Sequence, residues 1–153
     1  MRWNQLAAEP CSLARALAVV GDRWSLLILR EAFLRVRRFD EFQGRLGIAR
    51  RVLAERLASL SDDGIFERVA YQGRPERFEY RLTEKGLALY PVILSLVHWG
   101  DNFYADASGP PVLHQHMACG HDFRSVLVCS ECSEPVHPRD VVARPAVEQT
   151  RTG

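Results

Sequence analysis

Apolar residues recur at helical spacing in four short segments of the first half of the chain. The four segments begin near Ser12, Asp22, Phe39 and Ala49. Such spacing lines up one apolar face along each helix, and several short helices can then enclose a common core. We expect Ser12 and Asp22 to cap the first two helices, because short polar side chains accept hydrogen bonds from the free amides of a first turn. Gly21 and Gly47 are expected to end the first and third helices.

The pattern changes from helical to alternating after Gly64. Apolar residues at every second position on both sides of a polar turn at 72–75 predict a two-stranded hairpin. A longer helical pattern then runs from its expected cap, Thr83, to Tyr104. Pro91 lies inside this pattern and is expected to kink the helix, because proline has no amide donor. The element order predicts a mainly α protein with a small β-hairpin wing, which is the order of a winged helix-turn-helix.

Composition divides the chain into four predicted parts. These are a winged-helix and dimerisation domain at 1–105, a linker at 106–112, a small Cys/His ribbon at 113–137 and a disordered tail at 138–153. The ribbon segment holds three of the four cysteines and four of the five histidines. The chain has no run of 18 apolar residues and no apolar secretory segment at its start. We therefore expect no membrane span and a cytoplasmic location.

The charge of the chain is unevenly distributed. Over 153 residues the net charge is only +1, but between Arg35 and Arg56 seven arginines stand against three acidic residues. A basic segment on a nearly neutral chain suits a phosphate-bearing partner, although a solvated helix face would give the same count.

The predicted fourth helix and the wing place arginines where a winged helix meets DNA. An α-helix fits the major groove, and Arg50 and Arg51 at its start can donate paired hydrogen bonds to guanine or phosphate. An arginine at the hairpin tip, such as Arg74, can enter a narrow minor groove or simply solvate the turn. The candidate DNA-binding residues are Arg38, Arg50, Arg51, Arg56, Arg74 and Arg77.

Several segments together resemble one family. Residues 11–17 (CSLARAL), 20–30 (VGDRWSLLILR) and 38–42 (RFDEF) resemble the opening of HxlR-type regulators, which are related to the MarR group. Residues 47–57 (GIARRVLAERL) resemble that family's recognition helix, and residues 80–86 (YRLTEKG) its strand-to-helix junction. The resemblance covers residues 11–99 and implies a bacterial transcription regulator that binds a double-stranded DNA operator as a homodimer. Ala49 departs from the family, which often has a serine there.

Dimerisation also has support from the residues themselves. The first and last long helices carry more apolar residues than one small domain can cover, although packing within one chain is the alternative. The residues concerned are Leu13, Leu17, Ile93, Leu94, Val97, Trp99 and Phe103. Two-fold pairing would bury them and would match a pseudo-palindromic operator.

Cys11 is a candidate redox sensor. It precedes a predicted helix and lies four residues before Arg15, and both features stabilise a thiolate. The resemblance implies that a cysteine at this place can respond to oxidants or electrophiles. The alternative is a small buried residue at a helix start, and the effector, whether an oxidant or another small molecule, stays open.

The Cys/His segment has the spacing of a structural zinc site. His116 and Cys119 form an H-x-x-C pair, and after nine intervening residues Cys129 and Cys132 form a C-x-x-C pair. Two facing pairs of this kind suit tetrahedral zinc. We predict these four residues as the ligands, with His121 or His114 as substitutes for the fourth place. A ribbon that holds its fold through apolar side chains without metal is the alternative.

A zinc enzyme and a protein-interaction module are two alternative functional classes for this chain. A zinc deaminase needs an H-x-E glutamate, but His114-Gln115-His116 has no such glutamate, and four protein ligands would leave no open position for a substrate. We therefore expect no enzyme. A winged-helix protein-interaction module, with the ribbon docking a partner, is the second alternative. The arginines of the fourth helix and the wing favour DNA over that reading.

Overall fold

The structure is a computed structural model that describes residues 7–73 and 76–144. It divides into two units, one ending at Tyr104 and the other beginning at Ala105. The first unit contains α1 (Ser12–Val20), α2 (Arg23–Phe33), α3 (Phe39–Leu46), α4 (Arg50–Asp62), β1 (Phe66–Gly73), β2 (Glu76–Leu82), α5 (Glu84–Leu87) and α6 (Tyr90–Tyr104). The second contains β3 (Gln115–His116) and β4 (His121–Asp122). Within the described residues, no helix is long and apolar enough to cross a membrane.

The first two helices begin in different ways. Asp22 caps α2 as predicted, and its carboxylate accepts hydrogen bonds from the amides of Trp24 at 3.0 Å and Ser25 at 3.1 Å. The prediction that Ser12 caps α1 is wrong, because Ser12 is already helical and the extended residue before it is Cys11. The Cys11 side chain makes no capping hydrogen bond, so α1 begins without a side-chain cap.

The turn between α3 and α4 follows the sequence prediction. Gly47 ends α3 with a φ of 60°, in the left-handed region that glycine adopts without a steric penalty, and its amide donates to the carbonyl of Gln43. Ala49 precedes α4 and supplies no side-chain cap. The first amides of α4 therefore have no capping partner from this residue.

The core of the first unit lies among α2, α3, α4 and the base of the hairpin. Six side chains of the core are completely buried apolar residues, namely Ile28, Leu29, Phe42, Leu53, Leu57 and Leu60. The ring of Phe42 also meets that of Phe66, at the start of β1, edge to face. These contacts fix α4 against the rest of the unit and turn its other side outward.

One carboxylate lies inside this helical layer. Glu31 of α2 is buried, and its two carboxylate oxygens accept hydrogen bonds from Arg30 at 3.0 Å and from Arg45 of α3 at 3.3 Å. Since a buried charge is costly unless it is paired, these two guanidinium groups are what allow Glu31 to remain in the layer.

The hairpin is joined to the helices by its second strand. β1 and β2 are antiparallel, with Phe66 opposite Leu82 and an irregularity in register between Ala70 and Gln72. On its other edge, β2 bonds to the segment before α3, through a bridge between Arg38 and Glu79 and a hydrogen bond from the Tyr80 amide to the Arg37 carbonyl at 2.8 Å. The sequence pattern did not predict this third pairing, which ties the wing to the start of α3.

The prediction of one long helix kinked at Pro91 is wrong, because the chain forms two separate helices. Thr83 caps the short α5, as predicted for a cap at this position, and its side-chain oxygen accepts from the Gly86 amide at 3.2 Å. Pro91 lies in the first turn of α6. Proline is tolerated there, whereas inside a continuous helix its ring would clash with the carbonyl of Leu87.

The second unit is built from two short turns. In the first, Gln115 pairs with Asp122 and His116 with His121. In the second, a bridge joins Val128 to Pro135. Residues 138–144 are in neither helix nor strand and are exposed, while the rest of the predicted disordered tail lies outside the described residues.

Candidate nucleic-acid interface

A groove lies between the start of α3, the start of α4 and the wing. Its volume is about 550 Å³. It brings together three of the six predicted arginines, Arg38, Arg50 and Arg77, although they are far apart in the sequence. Its walls are not purely basic, since Asp40, Glu41 and Glu76 also line it, together with the rings of Phe39, Tyr71, Phe78 and Tyr80.

Arg50 begins α4 at the edge of this groove. Its guanidinium lies over the ring of Phe39, 4.8 Å from the ring centre, and its Nη1 is 3.7 Å from a carboxylate oxygen of Asp40. Both contacts are on the surface, and 73% of the Arg50 side chain remains exposed. A surface ion pair of this kind contributes about 0–1 kcal/mol, so Arg50 can exchange Asp40 for another anion at little cost.

Arg38 is held against the wing. Its guanidinium lies over the ring of Tyr71, 4.6 Å from the centre, and its Nε is 3.7 Å from Glu79. Phe39 and Tyr71 were not among the site residues predicted from the sequence. Phe39 lies eleven residues before Arg50 and Tyr71 lies 33 residues after Arg38, so only the fold brings each ring to its arginine.

The remaining predicted arginines have different surroundings. Arg51 is 90% exposed and bonds to Glu55 one turn later, at 2.8 Å. Arg56 is half-buried and lies 3.5 Å from the Asp22 carboxylate, so it connects α4 to the cap of α2. Arg74 lies outside the described residues. The structure therefore brings Arg50 and Arg51 to the exposed start of α4, whereas Arg56 is half-buried against the cap of α2.

A second feature is an apolar stripe along α6. Val92, Leu96, Trp99 and Phe103 are all exposed and lie at i, i+4, i+7 and i+11, which places them in one row. We call this row the α6 stripe. On the same helix, the Trp99 ring packs against Phe103 and Tyr104 with centre distances of 5.7 and 5.3 Å.

Part of the predicted dimer face is instead turned inward. Ile93 and Leu94 are buried within the chain, and Val97 packs against its core. These three residues occupy the opposite side of α6 from the α6 stripe. Leu13 and Leu17 of α1, in contrast, are exposed as the prediction requires.

Cys11 is exposed, which contradicts the alternative of a buried residue at a helix start. One turn later, Arg15 donates from its Nε to the Glu9 carbonyl at 3.0 Å. The thiol therefore stands at the free end of α1, on the helix that also carries Leu13 and Leu17.

The four predicted metal ligands form two close pairs. The Nδ1 atom of His116 is 3.4 Å from the Cys119 sulfur. The backbone amides of Glu131 and Cys132 donate to the Cys129 sulfur and, with the Cys132 thiol, hold the pKa of Cys129 below its ordinary value. Among residues 7–73 and 76–144, however, no three His, Cys, Asp or Glu side chains gather in a group that could hold a metal ion. The two pairs are thus each formed but are not joined into one site.

A family model and the sequences of known proteins both assign the chain to the same family. The family model of the HxlR-like helix-turn-helix matches residues 19–108. The chain is 46% identical over 134 residues to the HTH-type transcriptional regulator Rv3095 of Mycobacterium tuberculosis, covering 88% of this chain and 85% of that protein. The named relatives of this kind are transcriptional regulators rather than enzymes.

Solved structures agree with this assignment. The crystal structure of PA1607 is similar, with 34% identity and a TM-score of 0.81 over 90% of this chain and 96% of that one. The redox regulator HypR in its reduced form is 32% identical, with a TM-score of 0.56 over 60% of this chain and 92% of that one. The family model, the close relative and these folds lead to one conclusion: the chain belongs to the HxlR-like helix-turn-helix family of transcriptional regulators.

Proposed function

We propose that this protein binds a specific double-stranded DNA operator as a homodimer, with α4 in the major groove and the wing in the minor groove. The observation that carries the proposal is the start of α4, where Arg50 and Arg51 are 73% and 90% exposed beside the groove. A surface that docks a protein would be expected to show apolar or aromatic side chains on α4 at this place.

The chemistry at the start of α4 suits a phosphate backbone and base edges. The first amides of a helix carry partial positive charge and accept anions, and Ala49 leaves them open to such a ligand. A guanidinium can donate two parallel hydrogen bonds to guanine or phosphate. The bridge between Arg38 and Glu79 holds the wing beside α3, so Arg77 and α4 would approach DNA as one surface.

The homodimer rests on the α6 stripe and on α1. A row at i, i+4, i+7 and i+11 is the spacing with which one helix packs along another, and the same row on a second copy is its natural partner under two-fold symmetry. Two aromatic rings, those of Trp99 and Phe103, lie in this row. Burying one such side chain contributes about 1.5–3 kcal/mol, which is sufficient for a few of them to drive association.

The test is binding of the purified protein to DNA from its own upstream region, measured by fluorescence anisotropy against unrelated DNA. We expect two chains per site and a steep decrease of affinity with salt. Arg50→Ala and Arg51→Ala should each weaken binding by about 1–3 kcal/mol where the contact is bidentate to a base, which is about 5- to 150-fold.

Arg139→Ala is the matched control, because it removes one exposed arginine from the second unit. It should leave the affinity within about twofold, since surface substitutions away from a contact have small effects. Unchanged affinity in both α4 variants would refute recognition through α4. Binding that ignores sequence across genomic fragments would favour the protein-interaction module instead.

We further propose that Cys11 makes DNA binding sensitive to thiol oxidants. Its exposure at the end of α1 supports this, because α1 also carries exposed apolar residues of the proposed dimer face. The similar protein HypR is described as a redox regulator. With diamide as oxidant, two Cys11 thiols of a dimer would lose two protons and two electrons to diamide and form one disulfide. We expect diamide to release DNA from the wild type but not from Cys11→Ser, and equal release from both would contradict the proposal.

A further inference from the structure

The two cysteine pairs of the second unit occupy turns of the same construction. In the first, the Gly120 amide donates to the His116 carbonyl at 2.7 Å, and in the second the Ser133 amide donates to the Cys129 carbonyl at 2.9 Å. Both hydrogen bonds join residue i+4 to residue i, and in both turns a cysteine occupies position i+3.

The residue that follows this cysteine also has the same backbone conformation in both turns. Gly120 and Ser133 both have positive φ values, of 71° and 61°. Such values are uncommon for a residue with a side chain, so Ser133 adopts a conformation that the turn imposes. Each turn is also closed by paired backbone, in one case by His116 with His121 and in the other by Val128 with Pro135. Two turns with matching bonds and matching φ values present their potential ligands in the same way.

The distance within the first pair fits metal coordination. The His116 Nδ1 atom and the Cys119 sulfur are 3.4 Å apart. Tetrahedral zinc with its usual bond lengths to sulfur and nitrogen places two such ligand atoms about 3.5 Å apart.

The second unit also lacks an apolar core that could hold it. None of residues 105–144 is buried. Val126 and Leu127, on the segment between the two turns, are 67% and 73% exposed, and the apolar packing of this unit is limited to partly buried side chains such as Phe123, whose ring meets that of His116 edge to face. A unit of this size without a core needs disulfides, a metal or a partner to remain ordered. Its three cysteines are free thiols in the structure.

We propose that this unit binds one Zn²⁺ per chain through His116, Cys119, Cys129 and Cys132, and that the ion draws the two turns together. On binding, the three thiols lose their protons to solvent and three thiolates and one imidazole complete a tetrahedral shell. With four protein ligands the site is closed, so its role is structural. His121 is the competing fourth ligand, because it lies directly opposite His116 and so on the same face of the hairpin.

The experiment measures metal in the full-length protein. Protein purified under reducing conditions with added zinc is dialysed and analysed by inductively coupled plasma mass spectrometry. Metal-free protein is then titrated with Co²⁺, whose visible absorption is intense only in a tetrahedral site and whose near-ultraviolet bands report thiolate ligands. We expect one zinc per chain and both sets of bands.

Variants identify the ligands. Cys119→Ser, Cys129→Ser and His116→Ala should each lose most of the bound metal, while Cys11→Ser, the matched control cysteine, and His121→Ala should retain it. Loss of metal in His121→Ala together with retention in His116→Ala would overturn the ligand set. Wild-type protein without zinc, or zinc retained in Cys129→Ser, would overturn the site itself.

A second measurement needs no substitution, so it tests the structural role of zinc even where a ligand variant fails to fold. Trypsin cleavage at Arg124, between the two turns, should be slow in the zinc-loaded wild type and at least tenfold faster after a chelator removes zinc, whereas cleavage at the exposed Arg139 beyond the turns should not depend on zinc. The helices of the first unit should keep their circular dichroism signal in both states. Cleavage at the same rate with and without zinc would contradict a structural ion. None of these readouts depends on DNA binding.

Discussion

Asp22 joins the start of α2 to the helix that we propose to read DNA. Its carboxylate accepts hydrogen bonds from the amides of Trp24 at 3.0 Å and Ser25 at 3.1 Å and from the Ser25 hydroxyl. It also lies 3.5 Å from the guanidinium of Arg56 on α4. The substitution Asp22→Ala removes all of these contacts at once.

The expected magnitude follows from two contributions. Loss of a helix N-cap costs about 1 kcal/mol, within a range of about 0.5–2 kcal/mol. The half-buried pair with Arg56 adds about 0.2–1 kcal/mol. We therefore expect Asp22→Ala to lower the free energy of unfolding of the first unit by about 1–2 kcal/mol. For a protein of this size this corresponds to a decrease in Tm of about 2–8 °C. The assay is thermal and urea unfolding followed by far-ultraviolet circular dichroism.

Asp22→Asn separates the two contributions. Asparagine caps helices about as well as aspartate but carries no charge, so this variant should lose only the interaction with Arg56. Arg56→Ala should cost a similar amount, and the double variant should cost less than the sum of the two single changes. Arg56→Ala also tests whether Arg56 contributes mainly to stability or contacts DNA. A residue that contributes mainly to stability should change the free energy of unfolding more than the salt dependence of DNA binding.

The charge of Asp22 predicts a pH dependence. Burial raises the pKa of Asp22, but hydrogen bonds from Ser25, the charge of Arg56 and the Trp24 amide outweigh burial and bring the pKa below its ordinary value of 3.8. Because the pKa is lower in the folded state, the ionised carboxylate contributes stability above the unfolded pKa, and this contribution is lost as the pH falls through the folded pKa.

The advantage of wild type over Asp22→Asn should therefore be complete at neutral pH and should shrink below pH 3.8. An Asp22→Ala variant as stable as wild type at neutral pH would refute the cap argument. An advantage over Asp22→Asn that persists unchanged in acid would refute the role of the charge.

Three further substitutions test the packing. Gly86→Ala would place a Cβ atom 2.4 Å from the carbonyl oxygen of Ile65, which is backbone, so we expect a loss of about 1–3 kcal/mol in urea unfolding. The control Gly44→Ala has open space and should be stabilising by about 0.5–1 kcal/mol; equal effects would contradict the argument. Phe42→Ala removes a fully buried ring and should cost about 3–5 kcal/mol, whereas a loss below 1 kcal/mol would show that the site collapses. Trp99→Ala should leave the free energy of unfolding of the monomer nearly unchanged. It should weaken the proposed dimer by about 2 kcal/mol, which is about 30-fold in the Kd measured by sedimentation equilibrium. An unchanged Kd would exclude Trp99 from the interface.

The sequence was sufficient to predict a helix boundary where one residue acts on backbone groups close to it in the chain. Asp22 and Gly47 mark the start of α2 and the end of α3 because each acts on amides or carbonyls within four residues of itself. The break between α5 and α6 could not be predicted in the same way. Thr83 donates from its hydroxyl to the Gly64 carbonyl at 2.6 Å, so α5 is anchored to a turn nineteen residues earlier in the chain. That anchor fixes the direction of α5, and α6 begins anew near Pro91.

The arginines show the same division between local and distant causes. The exposure of Arg50 and Arg51 follows from their place on α4, since the buried residues of that helix lie on its other side. The role of Arg56 depends on a carboxylate 34 residues away, and that of Arg38 on Glu79 of the wing. Charge counting treats all four arginines alike, because it has no information about which acids the fold brings near them.

The two sides of α6 explain why the proposed dimer face could not be mapped from the sequence. Because α6 carries apolar side chains on two sides, its periodicity does not tell which side meets its own core. In the structure, Ile93 and Leu94 face that core, and the α6 stripe lies on the opposite side. Because the two faces share no side chain, a substitution on the stripe can disturb association without opening the core. We therefore expect substitutions on the α6 stripe to change the proposed dimerisation and substitutions at Ile93 or Leu94 to change folding. If α6 packed only within one chain, substitutions on the stripe would leave the oligomeric state unchanged.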